Sequence, residues 1–519
     1  MATVLISRLM IAVRAAATAA ILLMPGPLQA ALGPDDLPGL NEEIVITDSV
    51  EYLIGAGQTG TWAGTFTVQA GGSLTITNLG TLDIPFGAVS SSSATFSLVN
   101  AATMDVGNFN MQSYAGTFNV SNESTLTSGN WNIAHSGAGT LTLSNSGTAN
   151  LTNLNSSTYG GQTSFVNTGT LNINNFNVLD QNDKTTINNS ASLNVNNINM
   201  TANGAMGFVE LANTGTVQSG TVNINANYGG TVNIDGQFGS ATIDSLNGQA
   251  NGSSHGKSSA INILNGYMDI AHENFNVHNA QINIQNNGYD AIGTMNVTCT
   301  GTTGVLNLQN NGTFILETGN FNAYTGGQIN LANNGWLEGN EMWILAQSAD
   351  EASRVALFNT ATLQLSQLSL TSTGAATVGF QNNGVLDADK VSISTLFGGK
   401  TGVNTLFGQF NAEDIDFDVD YSVDGLPQIA VLAYGHLKAD GTLTIEGSAV
   451  DKAFLDSSEA AFFVYDDQGK TYLVAFNGSN PPAVVPEPLT LIGGVLGCAA
   501  VAWRRRRWIR KHLRGAGTK

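Results

Sequence analysis

The sequence predicts an all-β fold, a parallel β-helix solenoid of the right-handed type with about 14 coils. Three observations carry that expectation. A five-residue pattern, Asn-x-x-Thr-apolar, returns about every 23 residues, and a fixed period between 20 and 50 residues marks a solenoid. Around each copy, apolar and polar residues alternate over a few positions, which is a short strand with one buried face. Only 11% of the 519 residues are charged while 42% are hydrophobic, so the polarity comes from Asn, Thr, Ser and 60 Gly. Those are poor helix formers.

The copies begin at Asn78, Asn100, Asn122, Asn145, Asn167, Asn189 and Asn213, and again at Asn310, Asn333, Asn359 and Asn382. Degenerate copies lie near Gln237, Asn265 and Asn286. The residue four after each Asn is apolar, as in Leu82, Leu126 and Leu386. A second apolar anchor usually follows five later, as in Phe109, Trp131 and Phe176. An odd offset between two inward positions requires a bend. A third apolar segment precedes each Asn, as in Thr163-Ser164-Phe165-Val166. Three short strands and three bends make one coil, and at about 4.8 Å per coil the rod is about 67 Å long. A leucine-rich repeat shares the period but needs several Leu per repeat and a helical segment. Stacked Asn side chains are expected to form an amide ladder. Gly at the third pattern position, as in Gly147 and Gly169, is expected to supply a positive φ for a tight bend.

The remaining elements follow in chain order. Residues 1–30 read as a Sec-type signal peptide. Arg8 and Arg14 form its basic region, Ala15 to Met24 its apolar region, and Leu28-Gln29-Ala30 its cleavage site. Residues 31–57 are expected to cap the repeats of 58–395, because an open solenoid edge pairs with other chains. Residues 396–480 read as a β-rich cap or small domain. Within it Phe462-Phe463-Val464-Tyr465 and Thr471-Tyr472-Leu473-Val474 flank a turn, which is a hairpin. Residues 481–519 hold Pro486-Glu487-Pro488, the apolar run Leu489 to Trp503, and Arg504-Arg505-Arg506-Arg507. The run reads as a short membrane helix with Trp503 at the interface, and the Arg cluster holds that end in the cytoplasm.

The order Pro486-Glu487-Pro488, short helix, Arg cluster resembles the PEP-CTERM sorting signal, over about the last 35 residues. The resemblance implies an exosortase-type processing enzyme as a partner and a transient stay in the inner membrane. It implies a final place at the cell surface or outside the cell, in bacteria that make exopolysaccharide. It implies a destination and no biochemical activity.

The two ends hold ten of the 18 basic residues and one of the 38 acidic ones, which leaves residues 31–486 with a net charge of -29. Such a surface repels nucleic acid and anionic membranes, and it accepts an acidic polysaccharide only through a bridging Ca²⁺. Cys299 stands alone between the ends, so no disulfide staples the body, and it reads as a small buried hydrophobe.

Candidate sites are few. Asp414, Asp416, Asp418 and Asp420 alternate with apolar residues, so on a strand four carboxylates share one face. They are the candidate Ca²⁺ ligands, and a solvated edge strand protected by charge is the alternative. The spacing of His272 and His278 is not that of a helical zinc pair, and both read as surface histidines. No catalytic triad, phosphate-binding loop or CxxC motif stands out. For a polysaccharide lyase or hydrolase the candidate acids are Asp387, Asp389 and Glu351, but the basic cluster that a lyase for uronic acids needs is missing from the repeats. An ice-binding solenoid needs the same small residue on one face coil after coil, and the outward positions read as a mixture. The expectation is therefore a secreted, non-enzymatic rod without a cofactor, structural or adhesive, that binds extracellular polysaccharide multivalently.

Overall fold

The computed structural model describes residues 32–254, 257–349, 352–397, 399–419, 429–439, 443–445, 448–449, 462–467 and 470–476. Residues 1–30, expected to be a signal peptide, Glu351, Asp420 and the whole segment from Pro486 to Arg507 lie outside the described residues. Among the described residues no helix is long and apolar enough to cross a membrane.

The chain winds into a parallel β-solenoid of about 16 turns, a rod about 77 Å long at the usual strand spacing. Parallel pairing starts with Glu43–Ile46 on Thr65–Val68. It reaches Ile415 to Phe417 on Leu443 to Ile445. Coils therefore form beyond both ends of the recognisable Asn pattern, which explains the excess over 14. Antiparallel pairing takes over at the far end, where Phe462–Asp467 and Lys470–Phe476 form the expected hairpin.

One coil shows how sequence becomes shape. Residues Thr170–Gln181 run as one bent strand and Lys184–Asn189 as a second. The ladder with the preceding coil skips Asn174, which marks the bend and divides the first strand into two walls. The odd offset between the apolar anchors is this bend. On the first wall Ile173 points in, on the second Phe176, Val178 and Asp180, and on the third Thr185, Ile187 and Asn189. The interior is thus a bundle of columns, each adding one residue per coil, joined into one hydrophobic core from Leu37 to Ile415. Near the N-terminal end the columns are aromatic, with Phe109 edge-on between Trp62 at 5.1 Å and Trp131 at 5.3 Å.

The third corner is closed by the expected ladder. Asn167 Nδ2 donates to Asn189 Oδ1 at 2.8 Å and to the Ser192 carbonyl at 2.8 Å, while its Oδ1 accepts from Asn145 Nδ2 at 2.9 Å. Each amide therefore bonds two coils and satisfies a half-buried corner carbonyl. The ladder runs unbroken from Asn78 to Asn213. It runs again from Asn286 to Asn382.

The glycine expectation is corrected. Left-handed residues sit at the corner between the second and third walls, as at Asn182 (φ 66°), Gly204 (φ 81°) and Gly301 (φ 81°). Gly147 and Gly169, at the Asn corner, are not among them. They are glycine for lack of room: a Cβ on Gly169 would run into the Gly147 carbonyl, and one on Gly147 into that of Ser124. Gly169→Ala is therefore expected to cost about 1–3 kcal/mol. Gly402, with open space where its Cβ would be, serves as control, with Gly402→Ala within about 0.5 kcal/mol of the parent. Urea midpoints of the two variants check this, and equal midpoints would contradict it.

Candidate functional site

A solenoid turns sequence periodicity into surface columns, and the outer face of the second wall shows this most clearly. The residue ten after each pattern Asn is again Asn in most coils. Register stacks these residues in one exterior column from Asn110 through Asn132, Asn155, Asn177 and Asn199 to Asn320, ten coils in all. Nine amide-to-amide bonds of 2.6–3.0 Å join them. A shorter column beside it links Asn108, Asn130, Asn153, Asn175 and Asn197. The third wall carries another, from Asn233 to Asn330. The outward positions are therefore not a mixture along every column, as the sequence suggested. Read along the chain they vary; read up the rod, this column is one residue type.

Each exterior amide spends one N–H and one lone pair on its neighbours. One N–H and one lone pair remain for solution. The result is a fixed row of alternating donors and acceptors repeating every coil, about 4.8 Å. A shallow groove of about 670 Å³ runs beside it, between Asn110, Asn132, Asn155 and Asn177 and the next column of Gln112, Ala134 and Ser157.

The interior holds the groups that sequence reasoning missed. Asp290 occupies the inward column of Met268 and Phe314. Glu273 occupies that of Leu246 and Met295. Both are fully buried. Asn265 Nδ2 turns to Asp290 Oδ2 at 2.5 Å, which interrupts the amide ladder between Asn265 and Asn286. Neither Glu273 oxygen has a hydrogen-bond partner. Burial, and then the neighbouring Asp290, raise the Glu273 carboxyl well above the usual range. Burial pushes Asp290 up to about 7 against the opposing pull of the Asn265 bond. Asp290 was legible as the residue four after Asn286, an acid where the pattern demands an apolar side chain. A second inward column reads Ser91, Ser113, His135, Thr158 and Asp180. Asp180 accepts from Thr185 Oγ1 at 2.8 Å and from the Asp183 and Phe208 amides, which closes the corner at Asn182. Burial nevertheless raises it to about 6.

The other expected residues are placed as follows. Asp414 faces out and Asp416 is half-buried, flanking the buried Ile415, with Lys390 and Ser392 their register partners on the coil before. Among the described residues no group of three His, Cys, Asp or Glu side chains converges as metal ligands would. Asp387 and Asp389 are exposed. His272 and His278 lie on the surface, His278 Nδ1 3.0 Å from Thr300 Oγ1. Cys299 is buried, its Sγ–H donating to the Gln328 carbonyl, with the thiol raised to about 11 by burial. Of the few cations, Lys184 pairs with Glu210 at 3.5 Å and covers the Phe208 ring.

Fold and surface together define a parallel β-solenoid with amide-lined exterior columns. No protein family, no curated protein and no solved structure matches the chain.

Proposed function

We propose that the protein is a secreted, non-enzymatic rod that holds extracellular polysaccharide through many weak contacts. The observation that carries this reading is the ten-coil exterior Asn column. A polymer of hydroxyls lying along the rod meets a new donor and acceptor at every coil, so weak single contacts add up along one rigid template. The -29 charge of the body disfavours nucleic acid and uncomplexed polyanions. The carboxyls with the most perturbed proton affinity support a non-enzymatic reading, because Glu273, Asp290 and Asp180 are sealed inside the coil. Export through residues 1–30 and an exosortase-processed tail at Pro486-Glu487-Pro488 belong to the same proposal.

The test is retention of a panel of soluble polysaccharides by the purified protein, with each polymer's size distribution followed over a day. Retention without shortening is expected. Replacing Asn132, Asn155, Asn177 and Asn199 together with Ala should weaken retention at least tenfold. Shortening of any polymer would overturn the reading in favour of a lyase or hydrolase. A Ca²⁺ requirement for acidic polymers would point to the strand of Asp414, Asp416 and Asp418.

The ice-binding alternative gains one observation, because the exterior column repeats one small residue coil after coil. Against it, each amide spends half of its hydrogen-bonding capacity on its neighbours, which leaves one N–H and one lone pair for water. Thermal hysteresis of the freezing point in a solution of the protein decides between the two.

A further inference from the structure

Among the described residues four Trp side chains are placed, and two of them, Trp62 and Trp131, are core. The other two face solvent on a single coil. Trp336 is 43% and Trp343 40% exposed, and the segment between them reads Trp336-Leu337-Glu338-Gly339-Asn340-Glu341-Met342-Trp343. Leu337 and Met342 point in. Trp336 and Glu338 thus look out from the first wall and Glu341 and Trp343 from the second, on either side of the bend. Trp336 Nε1 donates to Glu338 Oε2 at 3.1 Å, and Trp343 Nε1 to Glu341 Oε2 at 3.2 Å. Each indole is therefore steadied through its N–H, while about two-fifths of the residue stays exposed to solvent.

The coil is also where two columns converge. Trp343 follows Asn320 in register, so it stands at the end of the exterior amide column. Trp336 follows Tyr267, Tyr289 and Thr313 in an outward-facing column of the first wall, in which Tyr289 and Thr313 are half-buried. Tyr267 and Tyr289 stack at 5.2 Å and 17°. Tyr289 and Trp336 are two coils apart, about 9.6 Å, a separation suited to alternate rings of an extended glycan. Among the described residues no cation lies within ion-pair distance of Glu338 or Glu341. Lys390 stands two coils away from Glu341 in the same column.

We propose that the corner formed by Trp336, Glu338, Glu341 and Trp343 binds an amine-bearing sugar unit of a glycan chain. This rests on the polysaccharide reading and gives it a substrate class. The apolar face of a pyranose ring stacks on an exposed indole. A protonated amine is attracted both by the ring face and by the two uncompensated carboxylates. A uronic acid is repelled there, and an N-acetylated or neutral sugar keeps only the stacking.

The experiment uses the full chain and short glucosamine oligomers, with their fully N-acetylated counterparts and oligogalacturonate as comparison. It is run near physiological salt, where unspecific attraction to an acidic rod is screened. Tryptophan emission and oligomer retention are read together. The expected result is an emission change with the free-amine oligomer at concentrations at least tenfold lower than with the acetylated one. E338Q/E341Q should abolish that preference while stacking persists, and W336A/W343A should remove binding of both. Thermal melts and circular dichroism verify that the variants are folded. The carboxamide variant keeps the test decisive if the double Trp variant does not fold. If E338Q/E341Q keeps the amine preference, the proposal is wrong. If the Trp variant binds oligomers as the parent does while the Asn132/Asn155/Asn177/Asn199 variant loses polysaccharide, this site fails and the matrix reading stands. If the parent retains no glycan at all, both fail.

Discussion

Asn167→Ala is expected to destabilise the rod by about 2–4 kcal/mol. The substitution removes two donated bonds, to Asn189 Oδ1 and the Ser192 carbonyl, and one accepted from Asn145. Asn189 Oδ1 stays buried without its donor and the half-buried Ser192 carbonyl loses one, while Asn145 Nδ2 keeps its bond to the Thr170 carbonyl. Each buried group left unpaired costs about 1–3 kcal/mol. Asn177→Ala, made on the same coil but in the exterior column, frees groups that water can satisfy. Its cost should stay within about 0.5 kcal/mol. Because each coil is held only by its neighbours, the damage should also be local. Amide hydrogen exchange should accelerate first around residues 145–192 and leave distant coils protected. Similar urea midpoints for the two variants would show that the internal ladder contributes no more than the surface one.

The second large effect is on pH. Asp290 and Glu273 both hold their protons more tightly in the folded chain than in the unfolded one. The folded state therefore carries more protons between the ordinary carboxyl range and about 7. By linkage, the stability they contribute is full below the ordinary carboxyl range and is lost as pH rises, for Asp290 through about 7. Asp180 acts in the same sense through about 6. At about 1.4 kcal/mol per pKa unit, Asp290 alone accounts for on the order of 4 kcal/mol. The melting temperature should thus fall between pH 5 and pH 8, and the E273Q/D290N variant should flatten that slope. A slope unchanged in the variant would assign the pH dependence to other groups. Protonated carboxyls are also what the geometry asks for. Two carboxylates in neighbouring apolar columns of the interior, with no ion pair to either among the described residues, are far costlier than two neutral acids.

Much of this was readable in the chain. The 22- and 23-residue spacings fix one coil per copy, because a repeat too small to bury its own apolar face must stack. The odd offset from Leu171 to Phe176 required the bend that the structure places at Asn174. The amide ladder followed from one Asn per coil at a fixed position. Other features were written in the sequence at an offset that chain-wise reading passes over. The exterior Asn column lies ten residues after the internal one, and Asp290 stands four after Asn286.

The sequence by itself determined the class of fold, its period, its inward columns and the identity of the internal ladder, because periodicity and burial are properties of a single coil. Tertiary structure alone decided what depends on the neighbouring coil. Gly169 is glycine because the Gly147 carbonyl lies against it, a constraint that involves two coils and no unusual φ. Glu273 and Asp290 are 17 positions apart in sequence, and become one electrostatic unit only when successive coils stack. Trp343 becomes the end of an amide column, and Trp336 joins the column of Tyr267 and Tyr289, only when register sets Asn320 and Thr313 beneath them. Register sums contributions from every rung, so no single repeat contains it.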